Sequence, residues 1–421
     1  METYGKLLNI TVPFFMFFFF VEKFVEWRRG LHVIRGLDSV ASFSSGITNV
    51  VKDVLGIGVT LMSYHWLVNN ISVFQVGSSV FTYIIAFIVI DFQGYWVHRW
   101  CHKINFFWNY HIIHHSSEEF NLSCALRQSI SNFINFFTFL LIPAAILGVP
   151  EKVIAIVAPL HLFLQYWYHT QLINKLGILE YILVTPSHHR VHHAINKEYM
   201  DKNLAQIFIF WDKLFGTFQQ ELDNVKPVYG VTRPVKTWNP VKINFLHLWL
   251  LAKDAWRTAS WKDKLRIWFM PTGWRPDDVK EKYPVEYISD VNNYQKFDTP
   301  ASKTFIAWHW AQMFFNYFLL TYFFAFIAQI GTPHIFYYGG FIFISIYAYT
   351  EMMDRNQYAF MLEIIKSAIG LYLIYQYGDW FFSSQHWPWY HYIVAGYLVV
   401  SVFFAGYFSI FELKRAQAQL Q

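Results

Sequence analysis

Hydrophobic residues run along this chain in long blocks rather than in short alternations. Apolar stretches occupy residues 8–21, 54–68, 73–97, 130–147 and 153–169, and four more occupy 304–330, 335–350, 358–377 and 387–411. A membrane-crossing helix needs about 20 predominantly apolar residues, so the blocks predict about nine transmembrane helices. Between the two sets lies a polar region, residues 171–302, which holds most of the charged side chains and is broken by Pro271, Pro276 and Pro284. No Ser/Gly tract or internal repeat sets it apart. The pattern predicts an all-α integral membrane protein in which this region forms a helical cap over the helix ends. Four segments follow: N-terminal membrane helices (1–78), a core (79–240), a cap or interfacial segment (241–303) and C-terminal membrane helices (304–421).

Composition agrees with a membrane class. The 421 residues are 55% hydrophobic and only 14% charged, against about 25% charged in soluble domains. A net charge of +5 is modest for this length and gives no support to a nucleic-acid partner. The first apolar block is followed by Glu22, Lys23 and Glu26 rather than a small-residue cleavage site, so it is expected to remain as a span. Basic residues favour the cytoplasmic side. With Arg28, Arg29 and Arg35 inside, nine spans bring residues 98–115, His169, the polar region and the terminal Lys414 and Arg415 to the same side. The membrane is then a bacterial inner membrane or the endoplasmic reticulum.

On that side lies the chain's densest chemistry. His98 and His102 are four residues apart, and His111, His114 and His115 stand at i, i+3 and i+4. His189, His192 and His193 repeat the second spacing, with His188 beside them and His169 at the end of a predicted span. On a helix these spacings align side chains one turn apart. Imidazole is a good ligand for iron, copper and zinc, and ten clustered histidines are enough for two metal ions. Iron on nitrogen ligands activates dioxygen, while zinc could occupy the same nitrogens. An apolar substrate arriving from lipid favours iron. Asp91, two helical turns before His98, and Asp212 are expected to orient the imidazoles. Glu118 and Glu119 read as a solvent-facing helix end, Cys101 as a packing residue, and His65, His161 and His309 as structural. Trp249, Trp256, Trp261, Trp268 and Trp274 fit either the bilayer interface or internal packing. Lys253, Arg257, Lys262, Lys264 and Arg266 face an acidic partner, anionic headgroups or plain solvent.

The order HxxxH, HxxHH, HxxHH among membrane spans resembles the fatty acid hydroxylase and sterol desaturase superfamily. The strings YWVHRWCH (95–102), HIIHHSSEEFNLSCALRQS (111–129), YHTQLI (168–173), TPSHHRVHHAIN (185–196) and DKNLAQIFIFWDKLFGTF (201–218) resemble its glyceryl-ether-cleaving branch, most closely over 79–240. The resemblance implies two iron ions at the matched histidines. It also implies hydroxylation beside an ether oxygen, with collapse of the hemiacetal to a fatty aldehyde and a glycerol derivative. In the animal branch the electrons come from tetrahydrobiopterin. Lys103 stands where the family carries an acid, a charge reversal that weighs against pterin use and ether specificity while tetrahydrobiopterin stays a candidate donor, and Leu204 replaces a family tyrosine. No haem-binding HPGG or GxGxxG nucleotide loop is present, so the expected partners are a membrane lipid, dioxygen and an external electron donor. The same motifs also serve sterol or fatty-acyl hydroxylation and desaturation. A non-catalytic metal-binding membrane protein or transporter would instead carry polar residues along its spans, which here are mostly Phe, Ile, Leu and Tyr.

Overall fold

A backbone surrounded by lipid must satisfy its own hydrogen bonds, and a helix does so within one segment. The computed structural model, which describes residues 2–413, is accordingly mostly helical. The longer elements are α1 (Glu2–Arg29), α2 (Gly36–Val54), α3 (Val80–Lys103), α4 (Glu151–Phe163), α5 (Pro186–His193), α6 (Pro240–Arg257), α7 (Lys303–Ile330), α8 (His334–Met353), α9 (Ala359–Tyr377) and α10 (Tyr390–Phe408). Several begin on side-chain caps that satisfy a free first-turn amide. Ser79 accepts from the Thr82 amide, Ser302 from that of Phe305, and Asn239 from those of Val241 and Lys242.

Two packed bodies of helix flank the histidines. In one, α1 and α2 lean on α7, and α7 to α10 follow as neighbours around Phe43, Phe323, Tyr349 and Leu398. A Cβ on Gly370 would sit 2.6 Å from Leu398 Cδ1, so glycine is what lets α9 approach α10 there. In the other, α3 packs on α4 through Ala86, Ile90, Val153 and Val157. A two-residue parallel pairing of Val59–Thr60 with Ile134–Asn135 ties neighbouring loops together.

The span count differs from the nine expected. Among the described residues, five helices are long and apolar enough to cross a membrane: Leu7–Arg29, Val80–Lys103, Lys303–Ile330, Ala359–Tyr377 and Tyr390–Glu412. These mark an integral membrane protein. Residues 54–68 instead cover the end of α2, a turn and the start of a helix at Tyr64–Ile71 capped by Ser63. Residues 130–147 hold a 3₁₀ turn (Phe137–Leu141) and a one-turn helix (Ile142–Ile146). The 13 residues of α4 rise about 20 Å, short of a hydrocarbon core of about 30 Å. The 20-residue α8 is long enough but carries Glu351 and four tyrosines. Apolar blocks report exclusion from water, and burial against protein satisfies that as well as lipid does. Lys414 and Arg415 lie outside the described residues.

Candidate metal centre

Three short helical pieces and one loop present the histidines. The last turns of α3 carry His98 and His102, and the one-turn helix Ile112–His115 carries His114 and His115 with His111 at its N-cap. α5, started by Pro186, carries His189, His192 and His193, and His169 follows α4 in a loop. The rings sort into two sets whose candidate ligand nitrogens lie within 4.8 Å of one another: His98, His102, His111, His115 and His192, and then His114, His169, His189 and His193. The two HxxHH motifs interlock. Each gives its i and i+4 rings to one set and its i+3 ring to the other.

His188 joins neither set. Its Nδ1 accepts from the Thr185 amide at 3.4 Å, at the start of α5, and its ring meets Phe218 edge-on.

Backbone carbonyls fix which nitrogen of four of the rings faces inward. Nδ1–H of His98 donates to the Leu204 carbonyl at 2.7 Å, that of His169 to Gln165 at 2.9 Å and that of His192 to Lys202 at 3.0 Å. His114 Nδ1 does the same to the Arg127 carbonyl at 3.3 Å. The inward Nε2 atoms of these four rings are therefore bare lone pairs, and His114 and His169 bring theirs to 3.3 Å; the Nε2 atoms of His189 and His193 lie 2.9 Å from that of His169 and 3.1 Å from that of His114. The buried Nε2 atoms of His102, His115 and His192 have no protein partner. Lone pairs repel at such distances unless a cation lies among them. A metal–imidazole bond of about 2.1 Å places cis nitrogens about 3 Å apart, so both sets fit a first-row ion. Burial, then the neighbouring histidines, hold His111, His115, His169, His189, His192 and His193 well below the usual imidazole range. Burial likewise takes His114 down to about 3. All are neutral at pH 7, as ligation requires.

A layer of polar groups holds the rings. Asp212 accepts from the amides of Leu204 (2.7 Å) and Ala205 (2.9 Å), and so positions the carbonyl that takes His98. Asp91 touches none of the nine rings. It accepts from His161 (2.7 Å), from the Ile207 and Phe208 amides and from the Trp211 indole, bracing the 207–211 loop against α3. Two further residues carry no motif of their own. Arg127 is bound through buried bonds to Asp38, Ser42 and Ser116 while its carbonyl holds His114. Asp201 lies 3.4 Å from His102 Nδ1 and 2.6 Å from Lys103 Nζ. Burial would raise its pKa, but His102 and Lys103 outweigh that and hold it at about 2. Asp201 thus pairs with the charge of Lys103 beside the ligands. Glu118 and Glu119 are buried, contrary to the solvent-facing expectation. Glu118 accepts from the Tyr294 hydroxyl and the Phe297 amide, and Glu119 pairs with Arg35 and Lys296, clamping the HHSSEE turn to the cap.

Two cavities meet the histidines. One of about 680 Å³ reaches His98, His111, His114, His169 and His189 between Phe15 and Met16 of α1, Phe43 and Val50 of α2, and Leu320 of α7. Its walls are mainly apolar, and its volume is that of a small-molecule site. The other, about 280 Å³, reaches His102, His115, His192 and His193 from the cap and is lined by Lys103, Arg233, Thr272 and Arg275.

Comparison with known proteins places this arrangement. Residues 83–217, which contain all ten candidate histidines, match the fatty acid hydroxylase family model. The chain is 34% identical over 366 residues to the alkylglycerol monooxygenase of Xenopus tropicalis, covering 86% of this chain and 80% of that one. The chain belongs to the fatty acid hydroxylase family. Among other family members, it is 39% identical over 278 residues to the alkylglycerol monooxygenase of Homo sapiens, covering 66% of this chain and 62% of that protein. To the Danio rerio protein of the same name it is 37% identical over 278 residues, covering 65% and 61%. The chain thus matches about three-fifths of the human and zebrafish relatives' length. No solved structure matches the chain.

Proposed function

We propose that this protein is a membrane-bound diiron monooxygenase that hydroxylates a lipid C–H bond, and that its substrate is an alkylglycerol whose ether bond is cleaved. The observation that carries the reading is the convergence of nine buried or half-buried imidazoles in two sets of candidate ligand nitrogens, next to a mainly apolar cavity walled by membrane helices. Similarity to alkylglycerol monooxygenases supports the choice of lipid.

The ligands would be His98, His102, His111, His115 and His192 for one ion and His114, His169, His189 and His193 for the other. Two irons so held would supply dioxygen activation at an unactivated C–H bond. The chain's own residues supply the rest. Phe15, Met16, Phe43, Val50 and Leu320 take up the alkyl chain and exclude water from the reacting carbon. Lining positions Leu7 to Met16 on α1 span about 14 Å of helix, so the chain lies along α1 with its ether end at the histidines. Gln165 and Gln206 are polar positions on this wall near His169, suited to an ether or glycerol oxygen. Hydroxylation of the carbon beside the ether oxygen yields a hemiacetal, which separates into an aldehyde and a glycerol derivative without further oxidation.

Dioxygen takes four electrons per turnover, of which the C–H bond supplies two. An external donor supplies the other two from the cap side, which we place in the cytosol with Arg28, Arg29 and Arg35. The test is product analysis on purified, iron-loaded protein given an alkylglycerol, dioxygen and candidate donors, beside His115→Ala. Fatty aldehyde from the wild type alone is expected. Absence of aldehyde with every donor, while the iron is present, overturns the ether reading.

A further inference from the structure

An apolar surface on the cap has no role in the reaction above. Trp249 and Trp256 of α6, Trp261 and Leu265 of the helix Trp261–Arg266, and Phe269 just beyond it are between 63% and 86% exposed. Side chains of this size seldom face water together on a soluble surface. Trp268 and Trp274, by contrast, are half-buried packing residues. Cations are interleaved with the exposed rings. Lys253 Nζ lies 5.8 Å from the centre of Trp249, and Lys264 Nζ lies 5.6 Å from that of Trp261. Arg257 and Lys262 are exposed. From 249 to 269 there are five cations and two acids. Asp254 is buried against Arg275, and Asp263 is taken by Arg266. The free charge on this face is positive.

We infer that residues 249–269 form an in-plane anchor that lies in the headgroup layer of an anionic bilayer. Tryptophan and phenylalanine enter the acyl boundary while lysine and arginine stems reach back to lipid phosphates. A water-borne acidic partner would match the charge but leave the rings in water, so the bilayer is the occupant. The anchor is joined to the histidine helix. Asn105, three residues past His102, donates its side-chain amide to the Ile267 and Trp274 carbonyls at 2.9 Å, and its backbone amide to Met270 at 3.0 Å. The Phe106 amide donates to the Trp268 carbonyl at 2.9 Å. The depth of the anchor in the membrane therefore sets the level of the end of α3.

Spin labels on the full-length protein in lipid nanodiscs test this. Single cysteines are placed at Trp261, Leu265 and Phe269, and at Asp223 and Asp277 as exposed controls; the native Cys101 and Cys124 are buried and stay unlabelled. In discs containing anionic lipid, the three anchor labels are expected ~5–10 Å below the phosphates, open to dioxygen and closed to a water-soluble nickel complex. The controls are expected to be open to nickel. Anchor labels as accessible to nickel as the controls overturn the inference, whatever the enzyme's activity. A Lys253→Glu/Lys262→Glu variant, which leaves Lys264 on the Ala255 and Trp256 carbonyls, is expected to raise the Phe269 label toward water. An unchanged depth in that variant, or in discs of purely zwitterionic lipid, overturns the claim that anionic headgroups hold the anchor.

Discussion

Removing the Asp212 carboxylate should loosen one metal and spare the other. Asp212 accepts from the amides of Leu204 and Ala205 and from the Thr217 hydroxyl, at 2.7, 2.9 and 2.7 Å, and is fully buried. Asp212→Ala strands two buried amides at about 1–3 kcal/mol each, or about 2–6 kcal/mol against a typical total stability of about 5–15 kcal/mol. Asp212→Asn keeps the volume and one acceptor oxygen, so its cost should be nearer ~1–3 kcal/mol. In both variants the Leu204 carbonyl loses its support, and with it the fixed tautomer of His98. Loss of such a support weakens metal binding by about 10–100-fold, or ~1.4–2.7 kcal/mol. His98 belongs to the five-ring set alone, so only that ion should weaken. Competition with a graded series of iron chelators, run on the folded fraction beside thermal unfolding, separates the two effects. Asp212→Asn that is destabilised yet holds both ions at wild-type affinity would refute the positioning role. Equal loss of both ions would refute the assignment of His98 to one set.

Other consequences are open to direct measurement. Val50→Trp fills part of the apolar cavity and should shift turnover toward shorter alkyl chains, read by competing chain lengths in one assay; an unchanged preference would exclude this cavity as the chain's seat. Tyr294→Phe removes a half-buried donor to Glu118 and should lower stability by about 0.5–1.5 kcal/mol with metal content unchanged, which metal analysis and thermal unfolding would check. Asp354 is raised by burial to about 6, despite bonds from Thr237 and Trp238. The folded state thus binds this proton better than the unfolded chain, and its contribution should stabilise as pH falls from about 6 toward the free carboxyl's value near 4. Asp354→Asn should flatten unfolding temperature against pH in that window, and an identical slope in wild type and variant would count against it.

Much of the site was legible in the sequence because ligand chemistry is written in residue type and spacing. HxxxH and HxxHH can be read as shared faces before any fold is known. Nine of the ten histidines meet. His188 does not, since adjacency in sequence turns a ring about 100° away on a helix. Spacing also could not say that His111 and His115 share a set with His192 rather than with His114. That depends on how α5 meets the one-turn helix at 112–115. The supporting carbonyls of Gln165, Arg127, Lys202 and Leu204 left no trace, because every residue has one. Glu118 and Glu119 looked like a solvated helix end because their partners, Arg35, Tyr294 and Lys296, lie far away along the chain. The span count erred for a similar reason. Residues 130–147 and 153–169 are apolar enough for lipid but form elements too short to cross it, and only one face of each packs on protein.

The most direct measurement is the metal content of the purified protein beside His102→Ala and His169→Ala. One of these rings belongs to each set. The account predicts two ions in the wild type and one in each variant, with the remaining ion in the untouched set by X-ray absorption. Two ions retained in both variants, or a wild type that binds fewer than two, would contradict it.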